Sequence, residues 1–239
     1  MKFIWRGLRQ GWHLVITGNP YIRHVTWVTI EVAVVSTVIA LLIGLPLGLG
    51  LGLGRFRGRQ LLLILANAGM VLPPVMVGLV LSLLMFPEAP LGRFQWLFTL
   101  HGVYIAQTVL ALPIVVALSS SAVRAIPAGL LSQARAFEAS RWQVWGLALR
   151  EARIGILTAV IATVGSALSE VGAVVLVGGN IVGVDQTLAS ATIQEVDAGN
   201  FAGAMAIAII LFGFILIITA ALTFVQQRSG AVAQFRAAS

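Results

Sequence analysis

No charged side chain interrupts the run from Val32 to Gly54, and comparable runs recur along the chain. They fall at Leu61–Phe86, Gly102–Val123, Ile154–Val182 and Phe201–Val225, with Glu170 the single charge inside any of them. A helix needs about 20 apolar residues to cross a bilayer. Five such segments in 239 residues predict an all-α membrane protein with about five transmembrane helices. Only 10% of residues are charged, against about 25% for a soluble domain, which excludes a water-soluble fold.

The few charges mark the topology. The 15 basic residues sit at span ends and in connecting segments, where Lys and Arg decide orientation. A basic pI near 11.5 therefore reflects membrane topology rather than a nucleic-acid surface. With the N-terminus outside, ten basic residues fall on the inner side and five on the outer. Four of those five precede the first span. Lys2, Arg6, Arg9 and His13 alternate at helical spacing with Ile4, Trp5, Leu8, Trp12 and Val15, the pattern of an amphipathic helix lying on a membrane surface. It should end at the turn-forming "TGNP". The expected organisation is an interfacial segment over 1–24, a transmembrane domain over 25–226 and a short cytoplasmic tail over 227–239. No small-residue cleavage site precedes the first span, so no signal peptide is expected.

Several catalytic classes are excluded. There is no cysteine, hence no disulfide, thiolate metal site or thiol nucleophile. His13, His24 and His101 share no metal-ligand spacing, and no hydrolase or zinc-protease motif occurs. The only lysine is Lys2, so a phosphate-binding loop that requires a lysine after its glycines cannot form. The chain carries no cofactor of its own and is not expected to be an enzyme.

Within the spans, Gly44, Gly48 and Gly52 share one helix face, a spacing that lets helices approach closely in lipid, either within the chain or at a dimer seam. Pro73 and Pro74 should bend or interrupt the second span, as a kink or beside a substrate path. Glu170 is costly in a bilayer. It faces a translocation path or dimer interface, or it locks neighbouring helices by a hydrogen bond; Ser169 and Gly172 flank it. Gly178, Gly179 and Asn180 should end its helix in irregular backbone at the outer mouth.

Charge and large aromatics concentrate in "ARAFEASRWQVWGLALREARIG", Ala134–Gly155. Read as one helix, Phe137, Arg141, Val144 and Ala148 share a face, with Trp142 and Trp145 beside it. Aromatics and arginines are enriched at protein interfaces, and tryptophans also at lipid headgroups. The residues alone admit either a docking helix or a lipid anchor.

Five spans with a helical loop before the penultimate one resemble the type I permease subunits of ABC importers. In that family this loop couples to the ATPase through an "EAA" motif with a following glycine and a later leucine-proline. Here "QARAFEASRWQVW" keeps the helical alanines and the "AS-R" region, whereas Glu138 stands at the glycine position and Glu151 at the proline. The resemblance implies a coupling loop of Ala134, Phe137, Glu138, Ala139, Ser140, Arg141, Trp142 and Trp145. The ordered set "GLPLG", "RFRGR", "NAGMVLPPVMVGLV", "AQTVLALPIVVAL", "LREAR" and "SEVGAVVLVGGNI" is similar to tungstate permeases and, more distantly, to molybdate permeases. That similarity implies a homodimer in a bacterial or archaeal cell membrane. It also implies two cytoplasmic ATPase subunits that bind ATP and Mg, and an extracytoplasmic oxyanion-binding protein. Sulfate or another small anion is the alternative cargo. An ATPase-independent carrier or channel is the alternative class, and it would require ionisable relays within the spans.

Overall fold

A computed structural model describes residues 2–238, with side chains described except at 2–4, 10, 15, 128 and 229–238. The described residues contain eleven α-helices, one 3-10 turn and no strand. In order they are α1 (Lys2–Ile16), α2 (Pro20–Leu53), α3 (Arg59–Gly69), α4 (Pro74–Met85), α5 (Leu100–Arg124), α6 (Ala128–Ala136), α7 (Arg141–Glu151), α8 (Arg153–Ser169), α9 (Gly172–Gly178), α10 (Leu188–Asp197) and α11 (Phe201–Ala238). Among them α2, α5 and α11 are long and apolar enough to cross a bilayer, and the count reaches five if α3 with α4 and α7 with α8 are each taken as one broken span.

The amphipathic N-terminal segment is helical and stops at "TGNP". Asn19 then caps α2, its side-chain oxygen accepting from the Tyr21 and Ile22 amides at 2.9 and 3.4 Å. Residues 20–24 thus belong to α2 rather than to the preceding segment. Gly7 and Gly11 of α1 lie directly against Met205 and Ala206 of α11, so α1 has a protein neighbour on its glycine face. Of the residues assigned to its two faces, Lys2, Ile4 and Val15 lie outside the described side chains.

Two compact units divide the chain: Met1–Thr37 with Leu72–Val109 and Val164–Thr219, and Val38–Val71 with Leu110–Thr163 and Ala220–Ser239. The first is held by Ile22, Val25, Leu188, Ala191 and Ile207 and by Val28, Val32, Val103 and Val174. In the second, Leu49, Val123, Ile126, Ala148 and Ala152 form one cluster, and Ala40, Ala111 and Val115 another. The Gly44–Gly48–Gly52 face resolves as packing within the chain. A Cβ on Gly44 would meet Val115, on Gly48 Ser119, and on Gly52 Val123, all on α5.

Two expectations are corrected, and one further helix appears. The first span begins not at Val32 but at Pro20, and Glu31 lies inside it. The Tyr104 hydroxyl donates to Glu31 Oε1 at 2.5 Å, which satisfies a group whose charge had marked a span boundary. Ile154–Val182 is not one helix: α8 ends at Ser169, and the seven-residue α9 follows a break at Glu170–Val171. The segment between Val182 and Phe201 contains α10. A reciprocal Thr187–Ser190 capping box starts it, and its first four residues are buried. Its Leu188 amide donates to Thr29 Oγ1 of α2 at 2.9 Å.

Candidate functional site

The loop singled out by its composition is a helix pair with a tight, doubly capped connection. At the end of α6, the Glu138 amide donates to the Arg135 carbonyl and the Ala139 amide to the Ala134 carbonyl, both at 3.0 Å. This is the Schellman pattern, which places the residue after the C-cap in the left-handed region. Glu138 takes φ 57° accordingly. The position where the related motif carries glycine therefore keeps a glycine-favouring backbone, although its side chain has changed. Two residues on, Ser140 caps α7 in a capping box: the Ser140 amide donates to Gln143 Oε1 at 2.7 Å and the Gln143 amide to Ser140 Oγ at 3.4 Å. With both helix ends satisfied, four residues turn the chain without loose backbone.

The single helical face expected across Phe137, Arg141, Val144 and Ala148 does not exist, because the turn separates Phe137 from α7. Val144 and Ala148 point inward, where Ala148 joins Leu49, Val123 and Ile126 and Trp145 packs alongside. Phe137 and Trp142 are left 86% and 82% exposed. The two indoles meet edge-on, 6.2 Å between centroids, so Trp145 braces Trp142 from the packed side. Arg135, Ala139, Arg141, Val144 and Trp145 also line a cleft of about 420 Å³ with Gly50, Leu53 and Gly54. At Glu151, the site of the motif's proline, α7 ends and α8 leaves at 66°; the bend is made without proline.

The remaining expected site residues fall at the two ends of α9. Pro73 and Pro74 interrupt the second span: Pro73 is the extended N-cap and Pro74 the first residue of α4, positions where a missing amide hydrogen costs nothing. A parallel pairing of α4 with α9 brings Val75 onto Gly172 and Gly78 onto Ala173, and Ser82 Oγ donates to the Leu176 carbonyl at 2.8 Å. Pro74, Glu170 and Gly172 therefore lie at the same end of the pair. Glu170 Oε1 accepts from the Ala173 amide at 3.0 Å, giving it a capping role, while the exposed Ser169 hydroxyl bonds back to the Gly165 carbonyl.

At the far end Gly179 and Asn180 both adopt positive φ, 93° and 56°, and terminate α9. Beyond them lies a group the sequence did not single out. Asp185 is fully buried. Its Oδ1 accepts from the Ile181 amide at 2.6 Å, and its Oδ2 has no hydrogen-bond partner. Burial raises its carboxyl above the ordinary range, against the lowering effect of the backbone donors. Any side chain at Gly178 would collide with Oδ2, which accounts for the glycine there. Gln186 receives a hydrogen bond from the Tyr21 hydroxyl at 2.9 Å and donates to Gln194. Asn180 Nδ2 reaches the Ser190 carbonyl and Gln194, each at 3.4 Å. In the sequence Asp185 looks like any loop acid; in the structure its carboxylate lies against Gly178 of α9 and the Ile181 amide.

Two broken spans beside three long apolar helices, together with a capped helix pair that projects Phe137 and Trp142, are the features of an all-α membrane protein. The family model for binding-protein-dependent transport system inner membrane components matches residues 44–230, and the chain belongs to that family. A probable anion ABC transporter permease protein of Haloferax volcanii is 38% identical over 82% of this chain and 87% of that protein. The tungstate uptake system permease protein of Campylobacter jejuni is 30% identical over 95% and 94%. A chain of the inward-facing MetNI methionine ABC transporter matches in fold with a TM-score of 0.69, at 23% identity, over 87% of this chain and 95% of that one. The protein is thus a multi-pass ABC transporter permease subunit, a membrane component and not an enzyme.

Proposed function

We propose that this permease forms the translocation path of an ATP-driven oxyanion importer, with tungstate as cargo. The reading places the N-terminus outside, the α6–α7 pair in the cytoplasm and two copies of the chain around the path. Two ATPase subunits hold ATP and Mg on the inner side, and an extracytoplasmic binding protein delivers the anion. The observation that carries it is the α6–α7 pair: an aromatic pair exposed beyond 80% on a turn fixed by two caps is a rigid plug suited to a protein socket.

Energetics support a driven mechanism. A dianion entering a negative interior at 100 mV works against about 4.6 kcal/mol, and the sequence offers no lysine-bearing phosphate loop to supply it. Motion received at Phe137 and Trp142 would be transmitted through Trp145, Val144 and Ala148, which root the pair in its own unit. The α4–α9 pair, bounded by Pro73–Pro74 and Glu170 at one end and Gly178–Asn180 at the other, is the assigned part of the path or dimer face. Broken helices at such sites are common in transporters.

Uptake into proteoliposomes containing the permease, its ATPase and its binding protein tests the cargo assignment. Labelled tungstate should accumulate only with internal ATP, and unlabelled molybdate or sulfate should compete weakly. Stronger competition by sulfate would reassign the cargo within the anions, and ATP-independent accumulation would overturn the importer reading.

A further inference from the structure

A further concave surface of the first unit runs along α1, α2 and α11. There the chain leaves an open groove of about 590 Å³ whose walls are almost wholly apolar. Its polarity is graded. Asn19 and Arg23 stand at one end, and Ile30 and Ile217 at the other. Seven residues of helix between Arg23 and Ile30 amount to about 10 Å. Arg23 and Trp27 also line the adjoining cleft with Pro20 and His24. Arg23 is exposed, and no acidic side chain lines either concavity. Both α2 and α11 are helices long and apolar enough to cross a membrane, so hydrocarbon is the medium a groove along them would meet. Trp27, 62% exposed, stands where the basic end meets the apolar trough, as aromatics do at headgroup level.

A positive end followed by an apolar trough matches one class of molecule. We propose that this groove holds an anionic phospholipid, its phosphate at Arg23 and one acyl chain along Trp27, Ile30, Ile210 and Ile217. The tail gains little, because lipid chains are as apolar as the side chains they would touch. Selectivity therefore rests on the headgroup, and one arginine near the surface gives about a fivefold preference for an anionic over a zwitterionic lipid.

The test is quenching of Trp27 in the full chain, reconstituted with brominated phosphatidylglycerol or brominated phosphatidylcholine. The Trp27→Phe variant is measured in parallel, so that the difference is the emission of Trp27 alone. Brominated phosphatidylglycerol should quench at about fivefold lower mole fraction, and Arg23→Gln should bring the two lipids level. Gly213→Phe is a second variant independent of the charge. Gly213 lines the groove, and a Cβ there meets nothing within 4 Å, so an aromatic ring fills the trough and should remove the difference between the two lipids. Equal quenching by both lipids in the unmodified chain, or a preference that survives Arg23→Gln, overturns the proposal. So does absence of Trp27 quenching, which would mean that protein covers the groove.

Discussion

Glu138 offers the sharpest test of how the α6–α7 turn is built. A residue with a Cβ in the left-handed region costs about 1–2 kcal/mol relative to its preferred conformations. Glycine avoids that cost but loses more chain entropy on folding, about 0.5–1 kcal/mol. With Glu138 at φ 57°, Glu138→Gly should stabilise the protein by about 0.5–1 kcal/mol net. For a chain of this size that corresponds to a rise of about 1–4 °C in the unfolding midpoint. Glu138→Gln removes the charge and keeps the strain, so its midpoint should stay near the original. Glu138→Val adds β-branching at a positive φ and should lower the midpoint. Intrinsic fluorescence from the six tryptophans, Trp142 and Trp145 beside the turn among them, reads the global unfolding transition during heating. All four proteins are compared at one heating rate, because membrane proteins unfold irreversibly. A lower midpoint for Glu138→Gly, or a gain in Glu138→Gln equal to that of Glu138→Gly, would refute the reasoning.

Three further outcomes follow from the packing and the caps. Gly48→Ala drives a Cβ into Ser119 and to 3.1 Å from the Val116 carbonyl and should cost about 1–3 kcal/mol, whereas Gly50→Ala meets nothing within 4 Å and should be neutral or stabilising by up to about 1 kcal/mol; equal midpoints in thermal unfolding would contradict the close α2–α5 contact. Glu170→Gln keeps the acceptor for the Ala173 amide and should retain anion uptake, while Glu170→Ala loses about 1 kcal/mol of capping and should reduce it; equal loss in both would mean that the charge matters. Burial raises the Asp185 carboxyl, so the folded chain binds a proton that the unfolded chain releases. Stability from this group is complete below the unfolded value of about 3.9 and falls as pH rises through the higher folded value. Asp185→Asn should flatten that fall, and identical pH slopes of the unfolding midpoint would count against it.

What the sequence made legible was whatever hydrophobicity and punctuation decide. Charge-free runs marked the spans, "TGNP" the end of α1, the Pro73–Pro74 pair the interruption before α4, and Gly179–Asn180 the end of α9. What it obscured depended on partners distant in the chain. Glu31 looked like a boundary because the Tyr104 hydroxyl that satisfies it is 73 positions away. Val144 and Ala148 looked available because helical spacing does not say which side meets Leu49 and Val123. The α10 helix was hidden by Glu195 and Asp197 near its end, although its Thr187–Ser190 box was a readable start signal. Glu138 illustrates both sides: the residue departs from the coupling motif, yet the backbone conformation that the motif's glycine serves is retained.

In the proposed function Phe137 and Trp142 dock into an ATPase. The most direct measurement is affinity co-purification of the tagged permease from native membranes, with partners identified by mass spectrometry, beside a Trp142→Glu variant. An ATPase at about one-to-one stoichiometry should accompany the native chain. Most of that ATPase should be lost from the variant, because burying an unpaired charge in a socket costs several kcal/mol, with membrane insertion unchanged. Recovery of the native chain alone, or an undiminished ATPase with Trp142→Glu, would contradict it and leave the exposed tryptophan as a lipid anchor.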